Sequence, residues 1–335
     1  MNGKLWMLLI GGAVVGWMAQ AQTSENNARL KAALKRYPAA DANKDGVLTM
    51  AEARAYKSRQ QIDAVKEKPQ PGMQGAERLV YKTVGDRKLT LYVYNPAGHN
   101  SEKKVPAIVF FHGGGWANGN PSQFEKQCQY LANRGMVAIS VEYRLVGRGD
   151  VKVEDCIEDA KSAMRWVRGH AAELGVDPER IASGGGSAGG HLAACVAVID
   201  DFNAKSDDLG ISARPNAMVL FNPAVGGAAD KLTSTKIAPK LRGAPEKAFP
   251  VTYASTKQGP CIMFFGTEDR LLAGAERFRG ISTKAGNKCR IVTYEGQGHS
   301  FFNHRSGGNK YYDLTVAEMD AFLVTLGWLP SAPAK

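Results

Sequence analysis

Five glycines crowd around Ser187 in the stretch IASGGGSAGGHLAAC, residues 181–195. Glycine costs conformational entropy and weakens helices and strands, so such a cluster belongs where the backbone must turn sharply or approach another segment closely. The residues before the serine, RIASGGG, read as a strand, and those after it, AGGHLAACVAVI, read as a helix. Gly185-Gly186-Ser187-Ala188-Gly189 is therefore a G-x-S-x-G sequence at a strand-to-helix turn, the context of a nucleophile elbow. Such a turn strains the serine backbone and makes its hydroxyl protrude, while Gly185 and Gly189 spare strand and helix a colliding side chain. A phosphate cradle fits less well, because there is no G-K-[ST] and no acidic partner at the dinucleotide-motif position.

The surrounding chain alternates strand and helix. RKLTLYVYNPAG, VPAIVFFHGGGW, MVAISVEYRL, NAMVLFNPA, CIMFFGTED and CRIVTYEGQGH read as strands; SQFEKQCQYLANRG, VEDCIEDAKSAMRWVRGHAAELG and DLTVAEMDAFLVTLGWL read as helices. This order predicts an α/β fold, a mostly parallel sheet covered by helices on both faces, with the active site at the carboxyl ends of the strands. At 335 residues and 44% hydrophobic, the chain has material for one large core and a small appendage. Its net charge of +11 is scattered along the chain, which argues for a solvated basic surface and against a nucleic-acid partner. Five cysteines without C-x-x-C spacing argue against zinc. Cys261 and Cys289 each open an expected strand, so a disulfide bridge between them is open if those strands are neighbours, and the odd total leaves at least one cysteine unpaired.

The N-terminal segment has its own organisation. Lys4, an apolar run from Leu5 to Met18 and the small-residue pattern Ala19-Gln20-Ala21 read as an export signal over residues 1–21. The run falls short of the roughly 20 residues that span a bilayer, so no stable membrane insertion follows signal cleavage and the mature protein is expected in the periplasm or medium. A helical EF-hand module is expected over 24–63, where DANKDGVLTMAE places oxygen ligands for Ca2+ at Asp41, Asn43, Asp45, the Val47 carbonyl, Thr49 and Glu52. No second loop of this kind is evident, which suits a structural clamp better than a sensor. A Pro- and Gly-containing linker is expected over 64–77 and a catalytic domain over 78–330.

From residue 78 onward the chain resembles the α/β-hydrolase fold, specifically the HGGG-motif esterases of the hormone-sensitive-lipase-like kind. The resemblance rests on HGGGW at 112–116, VEYRL at 141–145, GGSAGGHLA at 185–193, GTEDRLL at 266–272 and GQGHSFFN at 296–303. Gly186 departs from the aspartate of many relatives and looks closer to secreted esterases of plant cell-wall polysaccharides, including acetylxylan and feruloyl esterases. A serine hydroxyl needs an imidazole to take its proton and a carboxylate to orient that imidazole. The resemblance implies Ser187, Asp269 and His299 in these roles, with Glu268 as the alternative acid and no cofactor for catalysis. His304 reads as a surface residue, His191 as a packing residue and His112 as a structural one. The Ala188 N–H is expected in the oxyanion hole, and the resemblance adds those of Gly113 and Gly114. Trp116, Phe301 and Phe302 are candidates for lining the site.

Residues 225–260 are poor in large apolar residues and offer only a thin, polar lid. An open site suits a short acyl group on a bulky soluble polymer, so acetyl esters on a polysaccharide such as xylan are the expected substrate. A feruloyl esterase or a general carboxylesterase is the alternative. A peptidase of the prolyl-oligopeptidase kind lacks room for its propeller, and an inert scaffold is at odds with an intact Ser187, Asp269 and His299.

Overall fold

The computed structural model describes residues 22–53, 56, 73–227, 240–242, 245–306 and 308–331. The expected export signal, most of the expected linker and residues 228–239 and 243–244 of the polar stretch lie outside them. The chain divides into two compact units, Met1–Gln61 and Ile62–Lys335. Among the described residues no helix is long and apolar enough to cross a membrane.

In the first unit, helix α1 (Ala28–Arg36) starts where the Asn27 side chain accepts from the N–H groups of Arg29 and Leu30. Leu30, Ala40 and Leu48 form its small core with Ala33, Leu34, Ala53 and Tyr56 around them. Thr23 bridges Thr49 in antiparallel fashion, with Ser24 N–H donating to Leu48 O at 2.8 Å. A short N-terminal segment thus pairs with the backbone of the expected calcium loop itself, at Leu48 and Thr49.

The second unit is built on eight strands: β1 (Glu77–Val84), β2 (Arg87–Tyr94), β3 (Val105–Phe111), β4 (Val137–Val141), β5 (Val176–Gly186), β6 (Ala217–Phe221), β7 (Cys261–Gly266) and β8 (Cys289–Tyr294). They lie in the order β1-β2-β4-β3-β5-β6-β7-β8, and every pairing from β4 to β8 is parallel. Helices α2 (Glu125–Asn133), α3 (Val153–Gly169), α4 (Ala188–Val198), α5 (Leu272–Lys284) and α6 (Lys310–Thr325) cover it. Alternation along the strands feeds two cores. Val109 and Phe111 pack with Ile157 of α3, Leu192 of α4 and Phe278 of α5, whereas Ile108 and Phe110 pack with Leu131 of α2 and Met319 of α6.

Two features differ from the sequence expectation. ERLVYKTV carries no strand expectation from the sequence, yet β1 pairs antiparallel with β2 across the turn at Gly85 and Asp86. The end of the expected linker is also part of the large unit: Met73 and Ala76 are buried beside Tyr94. Cys261 and Cys289 are register partners on β7 and β8, and all five thiols are free.

Candidate active site

Ser187 follows β5 directly, at the carboxyl end of a strand enclosed by β3 and β6. Its φ of 52° and ψ of −114° lie in a region that L residues rarely adopt, which is the strain expected of an elbow. The turn is held by Ser187 N–H donating to Phe221 O at 2.9 Å and by Ala224 N–H donating to Ser187 O at 3.1 Å. A Cβ on Gly185 would stand 2.5 Å from the Gly189 backbone, and one on Gly189 would collide with Phe111 O. Strand and helix meet here only because both positions lack side chains.

Asp269 lies just beyond β7 and His299 just beyond β8, so adjacent parallel strands deliver both to the same edge. His299 Nδ1 is 2.7 Å from Asp269 Oδ2, and His299 Nε2 is 2.9 Å from Ser187 Oγ. A carboxylate only accepts, so the Nδ1–H donates to Asp269, leaving Nε2 to receive the serine proton. Asp269 Oδ1 accepts the Leu271 N–H at 2.9 Å, which fixes the carboxylate plane. The Asp269 side chain is 1% exposed and that of His299 39%, so the imidazole remains open to solvent while its partner is enclosed. Glu268 is exposed, and it is Asp269, not Glu268, whose carboxylate meets His299.

The HGGG loop follows β3. The His112 Nδ1–H donates to Gly113 O at 2.8 Å, its ring stacks on Tyr143 at 4.3 Å, and burial lowers its pKa to about 4. A neutral structural imidazole results. Tyr143, from VEYRL, donates its hydroxyl to His112 O at 2.8 Å. Its neighbour Arg144 is held by buried Asp159 at 2.8 Å, and Lys82 reaches the same carboxylate at 2.7 Å. Removing one partner of such a buried ion pair costs about 3–5 kcal/mol.

One expected oxyanion donor is corrected. The Gly113 N–H donates to Gln123 Oε1 at 2.5 Å and is not available to a substrate oxygen. The N–H groups of Gly114, Gly115 and Ala188 have no such bond among the described residues. Gly113 is thereby removed from the set, and the N–H groups of Gly114, Gly115 and Ala188 remain as candidates for an oxyanion.

Residues 91–217 match the family described as BD-FAE, and residues 241–331 match the dienelactone hydrolase family. Apo esterase 2 of Thermogutta terrifontis superposes with a TM-score of 0.75 at 45% sequence identity, over 79% of this chain and 98% of that one. The chain belongs to the α/β-hydrolase-fold esterases. Among curated members of the family, carboxylesterase NlhH of Mycobacterium tuberculosis is 36% identical over 36% of this chain and 38% of its own length. The probable isoprenylcysteine alpha-carbonyl methylesterase ICMEL1 of Arabidopsis thaliana is 25% identical over 66% of this chain and 50% of its own length. The chain thus spans half or less of these curated relatives.

Two of the aromatic candidates, Trp116 and Phe302, are corrected. Trp116 is 4% exposed, and its indole N–H donates to His191 Nδ1 at 3.3 Å. His191 Nε2–H in turn donates to Ala248 O at 2.7 Å, and burial pushes its pKa down to about 4. Trp116 is thus turned into the interior beside His191 and does not line a site. Phe302 is fully buried between Phe124 and Phe221. It also accounts for Gly186, since a Cβ there would stand 2.7 Å from the Phe302 ring. Phe301 packs on Tyr294 and Tyr311, at 5.1 and 6.0 Å. His304 is exposed, as expected, and meets Tyr312 edge-on. Asn222, which sequence reasoning missed, is fully buried and accepts the Ser300 N–H at 3.0 Å, anchoring the His299 loop. From the polar stretch, Lys240 donates to Gly115 O at 2.7 Å and sits over the Trp116 ring.

In the first unit, the Asp41 Oδ2 accepts the Gly46 N–H at 2.8 Å, while its Oδ1 is buried without a hydrogen-bond partner. Asn43 and Asp45 bond each other at 2.9 Å, and Asp45 Oδ1 accepts the Val47 N–H at 2.8 Å. Glu52 Oε2 accepts from both Thr49 N–H and Thr49 Oγ1, at 3.0 and 2.8 Å, and these bonds lower its pKa. The oxygen set, with one Asp41 oxygen left over, fits a hard cation. Glu52 caps Thr49 here, and no cluster of three or more His, Cys, Asp or Glu side chains is drawn together among the described residues.

Proposed function

We propose that the protein is an exported serine carboxylesterase that removes short acyl groups, above all acetyl, from a plant polysaccharide such as xylan. The observation that carries the hydrolytic part is the continuous chain Ser187 Oγ, His299 Nε2, His299 Nδ1, Asp269 Oδ2, with separations of 2.9 and 2.7 Å. In this reading Ser187 Oγ attacks the ester carbonyl as its proton passes to His299 Nε2. The Ala188, Gly114 and Gly115 N–H groups receive the developing oxyanion, and the imidazolium returns the proton to the leaving alcohol. Water, activated by the same imidazole, then releases the acid from the acyl-serine.

The substrate class rests on different support. The 39% exposed His299 side chain suits an ester carried on a bulky polymer. Thermogutta esterase 2 has been solved with propionate and with butyrate bound, both short-chain carboxylates. Residues 1–21 carry the proposed export signal. The test is acetate release from acetylated xylan beside p-nitrophenyl esters of increasing length and methyl ferulate. Fast acetate release with rates falling beyond butyrate is expected; preference for ferulate or long chains would replace the substrate assignment.

We also propose that the N-terminal unit binds Ca2+ through Asp41, Asn43, Asp45, the Val47 carbonyl, Thr49 and Glu52. The ion would draw Glu52 off Thr49 and clamp the loop, without a part in ester chemistry. Isothermal titration is expected to give a dissociation constant on the order of 10⁻⁴ to 10⁻³ M. Glu52→Gln should weaken it at least about tenfold while changing kcat little. Equal affinity in the variant would contradict the ligand set.

A further inference from the structure

Gln123 occupies the short helical turn Pro121–Phe124, outside every motif of the family resemblance. Its amide is used at both ends. Oε1 accepts the Gly113 N–H at 2.5 Å, and Nε2 donates to Asn303 Oδ1 at 3.0 Å. The orientation of the amide is fixed, because the Gly113 N–H needs an acceptor and Asn303 Oδ1 needs a donor.

The two ends belong to different parts of the site. Gly113 opens the loop that carries the Gly114 and Gly115 donors, and it lies against the elbow, where a Cβ on it would stand 3.0 Å from Gly186 O. Asn303 belongs to the turn that carries His299: its N–H donates to Ser300 O at 3.3 Å, and the Ser300 N–H is held by Asn222 at 3.0 Å. One planar side chain therefore links the segment that supplies oxyanion donors with the segment that supplies the general base.

We propose that Gln123 is a positioning residue that fixes the oxyanion donors relative to His299. Its amide bonds Gly113 and Asn303, and neither Ser187, His299 nor Asp269. The inference rests on the serine-esterase reading above. Donors must lie about 2.7–3.1 Å from the transition-state oxygen while the imidazole stays aimed at Ser187, and a displacement of about 1 Å can cost roughly 100-fold in rate. Breaking either end of the bridge releases the same constraint, so the effects of the two breaks should not add.

The test is a cycle of Gln123→Leu, Asn303→Leu and the double variant, with Ser187→Ala alongside, assayed on p-nitrophenyl acetate with thermal midpoints for each. The bridge predicts that Gln123→Leu lowers kcat about 10- to 100-fold with KM within about threefold. Asn303→Leu should lower kcat in the same direction, the double variant should be no worse than the poorer single one, and Asn303→Asp, which keeps an acceptor for Gln123 Nε2, should lose less than Asn303→Leu. A merely structural residue would lower the midpoint and leave kcat of the folded protein intact. Should Gln123→Leu not fold, Asn303→Leu and Asn303→Asp decide the matter from the other end. Wild-type kcat in folded Gln123→Leu or Asn303→Leu, or fully multiplicative losses in the double variant, overturns the bridge. Activity retained in Ser187→Ala overturns the serine reading instead.

Discussion

Ser187→Ala is expected to lower kcat/KM on p-nitrophenyl acetate by about 10⁴- to 10⁶-fold while the thermal midpoint stays near that of wild type. The substitution removes only Oγ. Alanine keeps the Cβ and inherits the same φ of 52°, so the strained turn costs the variant no more than the parent. The bonds that hold the elbow, from Ser187 N–H to Phe221 O and from Ala224 N–H to Ser187 O, are backbone bonds and survive. What is lost is the nucleophile, and water held by the remaining imidazole and N–H donors recovers little of the rate. Steady-state kinetics and a melting curve on the same preparation check both halves of the prediction.

Asp269→Asn is expected to cost about 10⁴-fold in kcat. The asparagine is nearly isosteric, and its oxygen can still accept the Leu271 N–H now bound at 2.9 Å. Its amide then turns toward His299 Nδ1 and donates where the carboxylate accepted at 2.7 Å. The imidazole is driven into the tautomer with its proton on Nε2, which cannot take the proton of Ser187. Glu268→Gln, on the exposed neighbour, is expected to change kcat by less than about threefold, because its side chain is solvent-exposed and makes no bond to His299, and the backbone bond from its N–H to Gln297 O is kept. Comparable losses in the two variants, measured at saturating substrate, would contradict the assignment of Asp269 as the orienting acid.

Much of this was legible in the sequence because backbone rules carried it. The apolar runs bounded by glycine, and the helical patterns between them, fix a parallel sheet whatever the loops do. The G-x-S-x-G turn states its own geometry, since only glycine tolerates the approach of strand and helix on either side of Ser187. Family spacing then selected Asp269 over Glu268, and burial separates the two in the structure.

The misreadings fall where side chains reach across the fold. Nothing in HGGGW says that the Gly113 N–H is taken by an amide in the following turn, because that bond is neither periodic nor part of a motif. Trp116, next to the oxyanion loop in sequence, has a φ of 62° and turns its ring onto His191 in the interior. A Cβ at Gly186, where many relatives carry aspartate, would meet the ring of Phe302, a residue far along the chain. β1 and β2 form a hairpin at the sheet edge, and the half-buried β1 lacks the continuous apolar run that marks the inner strands.

The measurement that bears most directly on the central claim is mass spectrometry of the protein after reaction with a fluorophosphonate ester. The phosphorus reagent is attacked by an activated serine and by few other groups, and its adduct does not turn over rapidly. A single adduct per chain, mapped to the peptide containing Ser187 and formed in step with loss of esterase activity, is the predicted result. An adduct on another residue that tracks the loss of activity, or full activity in protein fully modified at Ser187, would contradict it.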